Sequence, residues 1–255
     1  KHAICERRRS SDNIANNKIV CNHAKYIVDI AKSYLVGNPV AYSCSDGYDI
    51  EAVKNCFAVQ DMPSLDAEFE KTMSIFGKAY ELVYADEQSQ PKSVCLPPSN
   101  TFIVYGAGVG ETALYGIHYY KKRDIDGTVT GVCCIVCDRE MIYTYENTAD
   151  SFLHMTMTNS QHHYFGKMPM VEYRNNEEKQ GDFEQMIPLI DAYNILESDR
   201  VNDKEQFVDA FLFLTGIDLD SEQAKKLKEE RILMGYEGAA AQYLSKVMSE
   251  SDIEV

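Results

Sequence analysis

The sequence predicts an α+β fold, and three observations carry that prediction. Apolar residues recur at helical spacing as far as Phe76, the apolar period changes to two from Ala79, and a long helical pattern returns after Gly181.

Lys1 to Ser10 is basic around Arg7-Arg8-Arg9 and has no apolar periodicity, so it is expected to be an arm or a frayed start. Ile19, Val20, Ala24, Ile27, Val28, Ala31, Tyr34 and Leu35 then mark an amphipathic helix, stopped by Gly37 and Pro39. A second helix is expected from Ile50 to Val59, with Val53, Cys56 and Phe57 on its apolar face. A third runs from Ser64 to Ile75, capped by Ser64, with Leu65, Phe69, Met73 and Phe76 inward.

Strand spacing follows. Tyr80-Leu82-Tyr84 alternates with Glu81-Val83, and Thr101 to Tyr105, Ala113 to Tyr120, Val129 to Cys137 and Met141 to Tyr145 continue the pattern. Turns at Pro97-Pro98, Gly106 to Gly110, Asp126-Gly127 and Asp138-Arg139 make this an antiparallel sheet. Asn159 to His163 is read as a loop leading to a last strand near Met170.

In the long helical segment, Phe183, Met186, Ile187, Ile190, Tyr193 and Ile195 fall near 3.6-residue spacing, with Asp182 placed as N-cap. From Glu197 the residues turn polar: Asp199, Arg200, Asn202, Asp203, Lys204, Glu205, Gln206. About 25 helical residues would make a rod about 40 Å long. Pro188 must either kink it or open it. The second half has too little apolar surface to be buried within one subunit, so neighbouring copies or solvent are expected around it. Beyond it, Phe211 to Leu214 reads as a strand, Glu222 to Glu229 as a short charged helix capped by Asp220 or Ser221, and Gln242 to Leu244 as a further strand.

Composition narrows the function classes. The chain has 255 residues, 28.9 kDa and 45% hydrophobic content, ordinary for one large or two smaller domains. No run of 18 apolar residues or signal-peptide pattern occurs, so no membrane span is expected, and the eight cysteines read as reduced intracellular thiols. A net charge of −15 argues against ordinary nucleic-acid binding, which gains affinity from Lys and Arg on phosphates. A conduit that must let a duplex slide is compatible with acidic walls, as is any soluble acidic surface.

The motif search returns no assembled chemistry. In Gly106-Ala107-Gly108-Val109-Gly110 the third glycine comes one residue early for a dinucleotide fingerprint and a strand follows, so the run reads as a hairpin turn. Cys134 and Cys137 have metal-site spacing but no second pair, and with Cys133 read as small core residues. His162-His163 is expected to be a solvated pair outside any triad, and no Walker loop is present. No catalytic, cofactor-binding or metal-ligating residue is therefore assigned.

Several blocks do resemble a known family, in order along the chain: Asn16-Asn17-Lys18-Ile19-Val20, Tyr34-Leu35-Val36-Gly37-Asn38-Pro39, Gly77-Lys78-Ala79-Tyr80-Glu81-Leu82-Val83-Tyr84, Tyr164-Phe165-Gly166, Asn175-Asn176-Glu177, Gly181-Asp182-Phe183-Glu184, Leu189-Ile190-Asp191-Ala192-Tyr193, Ser198-Asp199, Asn202-Asp203 and Phe207-Val208-Asp209-Ala210. Together they resemble the portal proteins of tailed double-stranded DNA bacteriophages, in the siphophage branch. The resemblance implies a basic arm over 1–10, a wing of helices and antiparallel sheet over 11–180, a stem helix over 181–209 and a small αβ clip over 210–247. Residues 248–255 would begin a second stem segment, and the 255-residue chain, lacking the rest of that helix, is expected to be monomeric or weakly associated on its own.

The resemblance further implies a non-enzymatic head-to-tail connector subunit without cofactor, in a ring of identical copies, a dodecamer, at the capsid vertex of the virion, assembled in the host cytoplasm. Double-stranded DNA would pass through it without sequence recognition. Its partners would be the terminase large subunit, the head-completion adaptor, scaffold and the major capsid protein. Asp191, Asn194, Glu197, Ser198, Asn202 and Glu205 are assigned to the stem and DNA tunnel, and Glu222, Lys225, Lys226 and Glu229 to docking on the clip. The competing class is a soluble α+β enzyme or binding domain with an acidic cleft, which requires a pocket holding perturbed titrating groups.

Overall fold

The computed structural model describes residues 2–8, 15–45, 47–108, 110, 112–208, 211–215, 222 and 240–244, with the backbone alone for 206–208, 211–215 and 240–244. The chain divides into two compact units, Asn22–Ile187 and the pair Lys1–Cys21 with Pro188–Val255.

Unit Asn22–Ile187 opens with helix α1 (His23–Val36), whose first turn is capped by the Asn22 side chain accepting the Lys25 N–H. Helices α2 (Glu51–Val59) and α3 (Met62–Phe76) follow, and Gly77 ends α3 in a left-handed conformation. Eight strands form two antiparallel sheets. They are β1 (Lys78–Ala85), β2 (Pro91–Leu96), β3 (Thr101–Tyr105), β4 (Ala113–Arg123), β5 (Val129–Cys137), β6 (Met141–Asn147), β7 (Thr156–His162) and β8 (Met170–Arg174). One sheet has the order β2-β1-β8 and the other β3-β4-β5-β6-β7.

The sheets share one core. Tyr80, Leu82, Leu96 and Met170 from the smaller sheet pack with Cys137 from the larger, joined by Ile103, Ile142 and Met168. Gly116 on β4 allows this approach, since a Cβ there would lie 2.8 Å from Cys137 Sγ and from two atoms of Met170. Burial raises the Cys137 thiol pKa to about 11, leaving it a small apolar core group.

The α+β class and the strands expected between Ala79 and Tyr145 are present, with several differences. The single expected sheet is two, and β2 and β7 are strands where none was expected. Helix α1 starts at His23, and residues 15–21 before it are extended. Phe76 is 49% exposed, and the buried residues on α3 are Phe69, Glu70 and Ser74. His163 is buried, with Nε2 paired to the Asp138 carbonyl and Nδ1 accepting the Phe165 N–H, whereas His162 is exposed. Asp182 does not cap the long helix: its carboxylate accepts hydrogen bonds from Ser74 Oγ at 2.6 Å and Asn175 Nδ2 at 2.7 Å, fastening the segment to the end of α3.

The long helix α4 (Ile187–Val208) begins after a 3-10 turn at Glu184–Met186, with Pro188 as its second residue, where a missing N–H costs no helical bond. The rest of the second unit comprises a 3-10 turn at Ala3–Glu6, the extended stretch 15–21, and an antiparallel pair, β9 (Phe211–Thr215) with β10 (Ala240–Leu244).

A buried charge network ties β1 to β8. Glu172, its side chain 5% exposed, accepts Tyr80 Oη at 2.9 Å, Arg174 Nε at 2.8 Å and Lys179 Nζ at 3.2 Å. Burial alone would raise its pKa, but the hydrogen bonds from Arg174, Tyr80 and Lys179 outweigh this and hold it below the usual carboxylate value. A depressed carboxylate stabilises the fold above its unfolded pKa, and that contribution disappears as pH falls through the folded value. Glu172→Gln is therefore expected to lower stability by about 1–3 kcal/mol at neutral pH. In paired chemical denaturations the gap to wild type should narrow as pH drops below about 4.5; a gap independent of pH would contradict the ionic reading.

Candidate functional site

The polar half of α4 is where the sequence concentrates its functional residues, and a second segment of the chain covers it. Asn194, Ser198 and Asn202 stand one helical turn apart and are 0%, 0% and 1% exposed. Each accepts a backbone N–H from the extended stretch: Cys21 to Asn194 Oδ1 at 2.8 Å, Ile19 to Ser198 Oγ at 2.9 Å, and Asn17 to Asn202 Oδ1 at 2.7 Å. The stretch therefore runs antiparallel to the helix. Two extended residues advance about 6.6–6.8 Å and four helical residues about 6 Å, so alternate amides stay in step with side chains at i, i+4 and i+8.

Further contacts fasten the ends. The Arg7 guanidinium donates to Asp199 Oδ1 at 2.6 Å, to the Asn17 carbonyl at 2.8 Å and to Asn16 Oδ1 at 3.2 Å. Its side chain is only 18% exposed, so this ion pair is better shielded than an ordinary surface pair. The Ala3 N–H donates to Asp191 Oδ1, and Asn17 Nδ2 donates to Glu205 Oε2. Ser198 Oγ in turn donates to the Asn194 carbonyl at 2.7 Å, so the hydroxyl is satisfied as both acceptor and donor.

Asn194, Ser198 and Asn202, three of the residues assigned to the stem and DNA tunnel, are closed over by residues 15–21 in this chain. Asp191 and Glu197 are half-buried and Glu205 is exposed, with Glu197 paired to Arg200 at 3.2 Å. Residues 2–8, expected to be an arm or a frayed start, lie against the same helix through Arg7 and Ala3. The polar i, i+4, i+8 stripe facing a period-two segment was the available sequence signal for this pairing.

Beyond α4, β9 and β10 pair in the register Phe211↔Leu244 to Thr215↔Ala240. Glu222 is exposed, while Lys225, Lys226 and Glu229 lie outside the described residues.

A depression of about 180 Å³ lined by Val40, Tyr42, Phe57, Met62 and Asp66 is small beside an ordinary ligand pocket. Burial and the nearby Glu81 raise the Asp66 pKa, and burial and the neighbouring Asp66 raise that of Tyr42, while Lys54 also lines the depression. Among the described residues no cluster of three or more His, Cys, Asp and Glu could hold a metal ion, and no helix is long and apolar enough to cross a membrane. All eight cysteines are free.

Comparison with known proteins adds the family. A family model described as phage portal protein, SPP1 Gp6-like, matches residues 1–254. The portal protein of Bacillus phage SPP1 is 28% identical over 212 residues, which cover 77% of this chain and 42% of the phage protein. The chain thus spans less than half the length of that curated relative. With the family match extending over nearly every residue, and a long polar-faced helix leading into a small strand pair, the chain belongs to the SPP1 Gp6-like phage portal protein family.

Proposed function

We propose that this chain supplies the wing, a stem helix and clip strands of a portal subunit, and that the complete protein forms a ring at a capsid vertex through which DNA is packaged and ejected. The observation that carries this reading is the family match over residues 1–254. The ring is a closed one, a dodecamer, built by heterologous contacts between identical copies. Terminase and, after packaging, a head-completion adaptor dock on the clip, with scaffold and major capsid protein around the wing. The subunit has no chemistry of its own.

Of the six residues assigned to the stem and tunnel, Asp191, Glu197 and Glu205 are the carboxylates, each with some access to solvent, and we assign the channel wall to them. Their charge repels phosphate, which suits a duplex that must slide past. Sedimentation of the complete protein is expected to give a large closed assembly. A species that stays monomeric at high concentration under several salt conditions would end the portal reading.

The clip gives a second test. The charged run from Glu222 to Glu229 is assigned to docking, with Glu222, Lys225, Lys226 and Glu229 at the contact. Reversing the charge at Lys225 and Lys226 together is expected to weaken terminase binding while changing stability by about 0.5 kcal/mol or less, as surface substitutions do. Unchanged terminase affinity in a folded double variant would remove the assignment.

A further inference from the structure

The ladder on α4 recognises backbone. Its three rungs accept N–H groups that every residue but proline carries, and the side chains of Asn16, Lys18 and Val20, between the rungs, are exposed. Main-chain hydrogen bonding of this kind holds an extended segment whatever its intervening side chains, as when a strand is added to a sheet edge. The track is also polar, so uncovering it returns Asn194, Ser198 and Asn202 to water without exposing a large apolar surface. The Arg7 pair with Asp199 and the Asn17 amide on the Glu205 carboxylate add side-chain locks.

We propose that the polar face of α4 is a docking track for an extended polypeptide, that its occupant is the chain's own segment 15–21, and that this strap, not a neighbouring copy, closes that face of the helix. The last clause rests on reading α4 as a stem helix; the first two stand without it. In an assembly the strap then acts as a second layer of the stem carried by each subunit. Contacts between copies must use other faces of α4, and a strap released from its own helix leaves a track that another extended segment could enter.

Residue-resolved hydrogen exchange on the full 255-residue chain tests this. The amides of Asn17, Ile19 and Cys21 are expected to exchange about tenfold or more slowly than those of Lys18 and Val20, after correction for intrinsic rates. Ser198→Ala, which removes one rung and leaves the strap unaltered, should speed exchange at Ile19. Ile19→Pro should bring Asn17 and Cys21 to the rate of Lys18, whereas Val20→Pro should leave them slow. Uniform exchange across 15–21 in the wild type, or equal loss of protection from the two proline variants, would overturn the backbone track. Protection that rises with protein concentration would place the strap on another copy and overturn the choice of occupant. None of these outcomes depends on ring formation, so a failed ring and a failed strap are told apart.

Discussion

The covering of α4 depends on hydrogen bonds where most helices use apolar packing. A helix whose second half reads Glu197, Ser198, Asp199, Arg200, Asn202, Asp203, Lys204 and Glu205 offers little hydrophobic surface to another element. Three buried polar side chains along such a helix would be a liability if left alone, since each unsatisfied group costs about 1–3 kcal/mol. Residues 15–21 remove that cost by donating an amide to each. The net gain per bond is smaller, about 0.5–1.5 kcal/mol, because water would otherwise serve the same groups. The strap is thus held firmly enough to be ordered and weakly enough to exchange.

How much of this was legible in the sequence varies with how each element is stabilised. Strands β1 and β3 to β6 were visible because β-branched, aromatic and other apolar residues run between turn signals. Strand β7 was not, because every residue of Thr156–His162 is exposed and its extended form comes from pairing with β6. Strand β2 begins at Pro91 on the edge of its sheet, where proline normally demotes a strand. At α1 the apolar rhythm happens to extend back through Ile19 and Val20, yet Asn22 caps the helix and the residues before it serve α4. The polar residues of α4 stand out in the sequence as a group, but polarity alone could not separate side chains that face water from side chains that face another backbone.

The buried ionic groups of the first unit follow the same logic at higher cost. Glu172 is tolerated inside the sheet pair because three donors converge on it, and its depressed pKa records that the charged form is the favoured one. Glu70 is the opposite case: burial, with Asp182 nearby, raises its pKa, so its charge works against the fold at neutral pH. It lies on α3 one turn before Ser74, the residue whose hydroxyl holds Asp182. The segment entering the long helix is therefore fastened at a point where two carboxylates compete.

This arrangement bears on what an acidic portal chain can present to DNA. The net charge of −15 sets the sign of the surface but does not say which groups meet the duplex. Asp199 is neutralised by Arg7 and Asn202 is covered by the strap, while Glu197 has Arg200 beside it. A helix that looks uniformly polar in sequence is thus divided by the fold into a face that holds peptide backbone and faces that keep accessible charge. In the proposed channel, a wall built on the accessible faces would repel phosphate through a few carboxylates, and low friction would then require only that no Lys or Arg on those faces be free to make a lasting phosphate contact.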